Sequence, residues 1–352
     1  MAAVTEKAGE EGGEMKKMMS GSGFESYPPA LRPTHESVES DEHGEEVEGP
    51  DTVPVIDAER LDPGKLGEAC REWGVFRLVN HGMGSTLLSE IRERAKEVFG
   101  LPFETKRALF AATNPLSYFW GTAALAPSGS ALSRGNHDAD RVEGFNVPLG
   151  QLSQFRAGDP LIDSFRDMLE EYGRHQARLA RTIFEALAKN LKLDPKQLDS
   201  HYMAESTGII RVYRYPARSS GTRALGLEEH TDSSVLSILN QDDVVGGLQF
   251  LKDNEWLHVK PVPDTLVVNI GDMMQAMSDD EYRSVKHRVV GNKQRERISI
   301  CYFVFPADEG TIRSSRYIPF SYTDFRAQVQ KDIRQLGSKI GLQRFKLPTA
   351  VD

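Results

Sequence analysis

Cysteine is nearly absent: Cys70 and Cys301 are the only two in 352 residues. A disulfide framework is therefore excluded, and a reducing compartment is the natural expectation. Nothing approaches 18 consecutive apolar residues, so no helix is expected to span a membrane. Basic charge is not in excess either, since the formal net charge is −9. Residues 1–52 hold 13 acidic and 4 basic side chains, and the rest of the chain holds 39 of each. A balanced body without a basic stripe argues against nucleic acid, and equally against a polybasic membrane patch. The first residues, MAAVTEKAGEEGGEMKK, carry early acids and no apolar segment, unlike a secretory signal or a transit peptide. A cytoplasmic protein is expected, with a nuclear fraction left open. No internal repeat is visible.

What is present divides the chain in four. Residues 1–52 are rich in Glu, Gly, Ser and Pro and predict a disordered acidic tail, with FESYPPALRP as the alternative of an interaction motif. Residues 53–207 read as a helical region with short strands that packs on the core. LGEACREWG ends at Gly74, STLLSEIRERAKEVFG begins with Ser85 as N-cap, and a helix is expected over 163–192. On that last helix Phe165, Met168, Leu169, Tyr172, Leu179, Ile183 and Leu187 recur at three- and four-residue steps, a buried stripe. His175 on it reads as a surface or satisfied core histidine. Residues 208–310 are a series of short strands with turns between them, the texture of a sandwich or barrel. Residues 311–352 hold a final amphipathic helix and a tail. The fold class is α+β around one β core.

The chemistry concentrates in the third region. HTDSSVLSIL places His230 and Asp232 two apart, where a strand would aim both at one face. EYRSVKHRVVGNKQRERISICYF adds His287, then Arg297 and Ser299, again two apart. Two histidines and a carboxylate make the facial triad of non-haem iron(II) oxygenases, which leaves three positions on the metal open. A fixed guanidinium beside a hydroxyl is a carboxylate receptor. Together they describe a 2-oxoacid with a second, remote carboxylate, and 2-oxoglutarate fits. The competing readings are a structural His–Asp pair, a surface arginine cluster (Arg295 lies beside Arg297) and a hydrolytic zinc site. The last finds no His-Glu-x-x-His stretch to support it.

VPVIDAERL, EWGVFRLVNHGM, HTDSSVLSIL, VNIGDMMQAMSDDEYRSVKHRVV and ERISICYFV together resemble the plant 2-oxoglutarate/iron(II) dioxygenases, over roughly residues 53–346. HTDSSVLSILNQDDVVGGLQF and the segment FSYTDFRAQVQKDIRQLGSKIGLQRF look most like gibberellin 2-oxidases acting on twenty-carbon gibberellins. The resemblance implies a distorted double-stranded β-helix (jelly roll) core flanked by helices. It implies Fe(II) held by His230, Asp232 and His287, 2-oxoglutarate held by Arg297, Ser299 and Tyr215, and support of activity by ascorbate. The iron centre is then the catalyst, with no separate acid or base, and the partners are O2 and a small-molecule substrate. Hydroxylation of a gibberellin at carbon 2 is the implied reaction. Alternatives are the same chemistry on another plant hormone or a phenolic, and a degenerate protein that only binds a ligand. The family pattern has Asn where this chain has Tyr213, and Pro-Cys where it has Ala217-Arg218. For the substrate pocket Phe303, Tyr118, Trp120 and Phe145 are the candidates, while Asn80-His81-Gly82 reads as a structural turn.

Overall fold

The protein is described by a computed structural model over residues 24–32, 53–111, 115–121, 140–193, 208–217, 225–307 and 310–348. In it the short runs after residue 208 are strands that cross between two sheets. Ahead of them lie β1 (Val55–Asp57), β2 (Val75–Val79), β3 (Ser117–Trp120) and β4 (Glu143–Pro148). The core strands are β5 (Ile209–Tyr215), β6 (Leu225–His230), β7 (Leu236–Asn240), β8 (Leu248–Lys252), β9 (Glu255–His258), β10 (Leu266–Ile270), β11 (His287–Val290) and β12 (Arg297–Val304). The large sheet runs β1-β2-β10-β7-β12-β5-β4-β3 and the small one β6-β11-β8-β9. Within these two sheets only β1 and β2 pair in parallel. Apart from the β8–β9 hairpin, successive core strands change sheets, the connectivity of a jelly roll, so the α+β jelly roll flanked by helices is present. The strands before residue 207 do more than pack on this core. They extend its large sheet at both edges.

β10 and β12 are buried at every position, which requires cover on both faces. One cover is the small sheet. The other is the helix Pro160–Asn190, which packs on β7 and β12. Asp159 starts it by accepting from the Leu161 and Ile162 N–H groups, and Pro160 follows at the first helical position. Phe165, Leu169, Tyr172, Leu179, Ile183 and Leu187 form the expected buried stripe, with Met168 half-buried at its border. Each such side chain contributes about 1.5–3 kcal/mol when removed from water. His175 is half-buried, its Nδ1 beside the Arg178 guanidinium at 3.1 Å. The helix at Ser85 begins one residue earlier than expected, with Gly84 as N-cap and no side chain capping it.

Residues 24–32 depart from the reading of a disordered tail. Two 3-10 turns, Phe24–Ser26 and Pro29–Leu31, lie against the body. Tyr27 donates to Glu296 at 2.7 Å, and the Arg214 guanidinium lies 3.9 Å above the Tyr27 ring and donates to the Ser26 carbonyl at 3.2 Å. FESYPPAL brings aromatic and apolar surface to bury, and its prolines have φ already restricted. The rest of the tail lies outside the described residues, as does Arg218.

Arg214 belongs to a buried charge cluster on the outer face of the large sheet. Glu143 and Lys106 are both fully buried, with Lys106 donating to Glu143 at 2.7 Å and to the Phe99 carbonyl at 2.9 Å. Arg214 and the Tyr118 hydroxyl also bind Glu143. Burial pulls the Lys106 ammonium down to about 8 despite the adjacent carboxylate. Removing one member of such a cluster strands the others in a dry site. Glu143→Ala is therefore expected to lower stability by about 3–5 kcal/mol, measured as a fall in the urea unfolding midpoint. An unchanged midpoint would show that the cluster does not hold the edge strands in place.

Candidate metal centre and cosubstrate site

Register brings the two histidines together. β6 ends at His230 and β11 begins at His287, and these residues are direct antiparallel partners, with ring centroids 4.3 Å apart. Each ring is oriented by its Nδ1, which lies 2.7 Å from the Glu228 carbonyl in His230 and 3.3 Å from the Val285 carbonyl in His287. A carbonyl can only accept, so Nδ1 carries a proton in each ring and Nε2 is the atom left to face Asp232. Both Nε2 atoms lie 3.7 Å from Asp232 Oδ1. One donor atom from each residue falls within 4.8 Å of the others.

Asp232 reaches this point by a route that strand alternation does not supply. β6 stops at His230, and Asp232 sits in the turn before β7. Expecting a shared strand face was wrong, and tertiary contacts do the work instead. Asp232 Oδ2 accepts from Ser237 Oγ at 2.6 Å and from Asn269 Nδ2 at 2.8 Å, which leaves Oδ1 facing the histidines. The Asp272 N–H donates to the Asp232 carbonyl at 2.8 Å. The chain passes so close here that a Cβ on Gly271 would collide with the Ser234 carbonyl, so glycine is required by proximity. Burial opposes the charged form of Asp232, yet His287, His230, Asn269 and Ser237 outweigh it and bring its pKa to about 2. Burial first, then the neighbouring His287, lowers His230 to about 3. Two imidazoles and a carboxylate are a donor set that suits iron(II). These two partners of Asp232 could be suspected from sequence, because Ser237 and Asn269 interrupt the apolar runs VLSIL and VVNIG.

These donors open into a cavity of about 1260 Å³ between the sheets. Arg297 and Ser299 share its wall, and Arg297 Nη1 donates to Ser299 Oγ at 3.0 Å. Arg297 is 2 % exposed, and its Nε and Nη2 have no hydrogen-bond partner among the described residues. A buried guanidinium left so incomplete is costly and has the geometry to receive a carboxylate. Tyr215 pairs with Arg297 across β5 and β12, its ring 5.4 Å beneath the guanidinium. Burial raises its phenol well above the ordinary range, so the hydroxyl stays protonated and able to donate. Tyr213 and Arg211 continue the same face of β5 into the cavity. Tyr213 hydrogen-bonds Arg211 and is pushed up to about 12, mainly by burial.

Of the four pocket candidates only Phe303 lines the cavity, with the Arg211 guanidinium 5.4 Å above its ring. Tyr118 and Phe145 lie on the opposite face of β3 and β4, packed in the core, and Trp120 is 38 % exposed against Phe103. Their neighbours Ser117 and Asn146 line the cavity instead. Choosing the aromatic residues put the strand parity off by one. His81 stays in its turn, near the Asp264 carbonyl at 3.2 Å and accepting from the Met83 N–H at 3.3 Å.

If Asn269 orients Asp232, Asn269→Ala frees the carboxylate to rotate. Cobalt(II) affinity, read by titration, is then expected to fall about 10- to 100-fold. Wild-type affinity would mean that Ser237 alone suffices.

Comparison with known proteins identifies the family. The profile of the 2OG-Fe(II) oxygenase superfamily matches residues 206–306, and that of the N-terminal region of non-haem dioxygenases in morphine synthesis matches residues 53–153. Gibberellin 2-beta-dioxygenase 6 of Oryza sativa subsp. japonica is 36 % identical, over 83 % of this chain and 84 % of its own. Gibberellin 2-beta-dioxygenase 8 of Arabidopsis thaliana is also 36 % identical, over 86 % and 88 %. The crystal structure of JOX2 in complex with 2OG, Fe and JA superposes with a TM-score of 0.72 at 29 % identity, covering 90 % of this chain and 96 % of that one. With relatives above a third identical over more than four-fifths of both chains, the chain belongs to the 2OG-Fe(II) oxygenase superfamily.

Proposed function

We propose that His230, Asp232 and His287 hold the iron(II), that Arg297 and Ser299 bind the far carboxylate of 2-oxoglutarate, and that Tyr215 donates a hydrogen bond to it. The observation that carries this reading is the buried Arg297 with two unpartnered nitrogens, opening into the same cavity as the His–Asp–His set. When bound, iron(II) supplies oxidation of a substrate C–H bond by dioxygen, coupled to conversion of 2-oxoglutarate into succinate and carbon dioxide. The chain does the rest by holding and orienting. Nδ1–H contacts keep both Nε2 lone pairs available, Asn269 and Ser237 fix the carboxylate, and Arg297 sets the depth of the cosubstrate. The walls exclude water and present one bond of the substrate.

The substrate we propose is a gibberellin, hydroxylated at carbon 2. Support comes from the likeness to gibberellin 2-beta-dioxygenases and from the cavity. Its apolar lining includes Leu227, Phe250, Val289, Ile333 and Leu342, fit for a terpenoid skeleton, and Arg211 beside Phe303 supplies a cation for a carboxylate. The second reading is the same chemistry on another plant hormone or a phenolic. Tyr213 favours it, because a phenol stands on the cavity wall where the family pattern has asparagine.

His230→Ala and Asp232→Ala are each expected to abolish succinate formation with iron(II), ascorbate, 2-oxoglutarate and oxygen, and full turnover by either would sink the ligand assignment. Mass spectrometry over gibberellins, auxin and flavonoids should find a gibberellin gaining one oxygen at carbon 2. Oxygen gained only by another compound would keep the chemistry and discard the hormone. No succinate with any candidate would favour a protein that binds and does not turn over.

Arg297→Gln removes a charge-assisted pair worth about 1.5–3 kcal/mol. The KM for 2-oxoglutarate is expected to rise about 10- to 100-fold, with cobalt affinity unchanged. A KM within twofold of wild type would place the cosubstrate elsewhere.

A further inference from the structure

The turn carrying Asp232 belongs to no strand, and part of what holds it comes from the far end of the chain. Lys339 Nζ donates to the Thr231 carbonyl at 2.8 Å and to Ser233 Oγ at 2.9 Å, the residues on either side of Asp232. It also lies 2.6 Å from Asp272 Oδ2, with the two side chains 12 % and 4 % exposed. Asp272 is tied to the same turn, since its N–H donates to the Asp232 carbonyl and its Oδ2 accepts from Thr231 Oγ1 at 3.3 Å. An ammonium has three donors, and all three here have an acceptor. Lys339 is brought into reach by Gly337, which ends the helix Tyr322–Leu336 in the left-handed conformation at φ 77° and turns the chain back. Val329 and Ile333 on that helix, and Ile340 and Leu342 after it, line the cavity.

Resting on His230, Asp232 and His287 as the metal ligands, we propose that Lys339 is a positioning residue of the metal centre. It clamps Thr231 and Ser233 so that Asp232 presents Oδ1 to the metal, and it joins the C-terminal segment, one wall of the cavity, to the ligand turn. It touches no reacting atom. Its effect is on the geometry and affinity of the metal site before any substrate is present.

The test is anaerobic titration of the full chain with cobalt(II), followed by ligand-field absorption, in wild type, Lys339→Met and the double variant Lys339→Met/Asp272→Asn. Lys339→Met keeps the aliphatic stem and is expected to weaken cobalt binding about tenfold or more and to shift the ligand-field bands. The double variant leaves no stranded carboxylate and is expected to stay as weak. Recovery of wild-type affinity in it would overturn the proposal, by tracing the loss to the bare Asp272 charge. So would unchanged affinity and bands in Lys339→Met. Should that variant fail to fold, Ser233→Ala removes one acceptor and no charge. The same band shift with a smaller loss is then expected, and a wild-type spectrum would overturn the clamp. Cobalt binding untouched by His230→Ala would instead overturn the ligand assignment beneath it.

Discussion

Everything at the centre depends on how one carboxylate is shared. Asp232 gives one oxygen to the two histidines and the other to Ser237 and Asn269. The histidines stand on β6 and β11 of the small sheet, while Ser237 and Asn269 stand on β7 and β10 of the large one. The carboxylate is thus satisfied only when the two sheets close on each other in this register. A slip of one residue in either would turn its partners outward. The geometry of the His–Asp–His set and the packing of the sheets are therefore a single requirement, which explains why buried polar residues interrupt otherwise apolar strands here.

Two buried arginines on neighbouring strands show how the same residue serves opposite ends. Arg214 on β5 and Arg297 on β12 are 3 % and 2 % exposed. Arg214 points outward, where Glu143 neutralises it and the docked Ser26–Tyr27 segment covers it. Arg297 points inward, meets Ser299 and the Tyr215 ring, and keeps two nitrogens without partners among the described residues. One is a closed structural cluster and the other the proposed carboxylate receptor. The cost of the open one has to be offset by the apolar packing around it, and strands buried along their whole length supply that packing.

The C-terminal segment extends this logic. A jelly roll could close its cavity with any apolar cover, but here the cover sends an ammonium back to the turn between β6 and β7. Wall and metal turn then share Lys339 and Asp272, so a change in one strains the other. The acceptors in this arrangement are backbone and small hydroxyl groups, which no charge pattern along the chain announces.

Residue types and spacing alone were enough for the α+β class and the stripe on the helix Pro160–Asn190, and they singled out His230, Asp232, His287, Arg297 and Ser299, which the fold brings to the wall of one cavity. Those signals are local: period two in strands, period three to four in a helix, and a donor set whose chemistry admits few uses. Alternation also predicted correctly that Arg297, Ser299 and Phe303 share a face, because all three lie on one strand. It failed for Asp232, which a turn carries, while Tyr118 and Phe145, chosen by likeness to the family's substrate walls, lie on the face of β3 and β4 turned away from the cavity. Asn269 and Ser237 showed as polar interruptions without a stated partner, and Lys339 gave no sign at all. Its partners lie 108 and 106 positions away, and only the closing of the tertiary structure brings such distant donors and acceptors within hydrogen-bond reach.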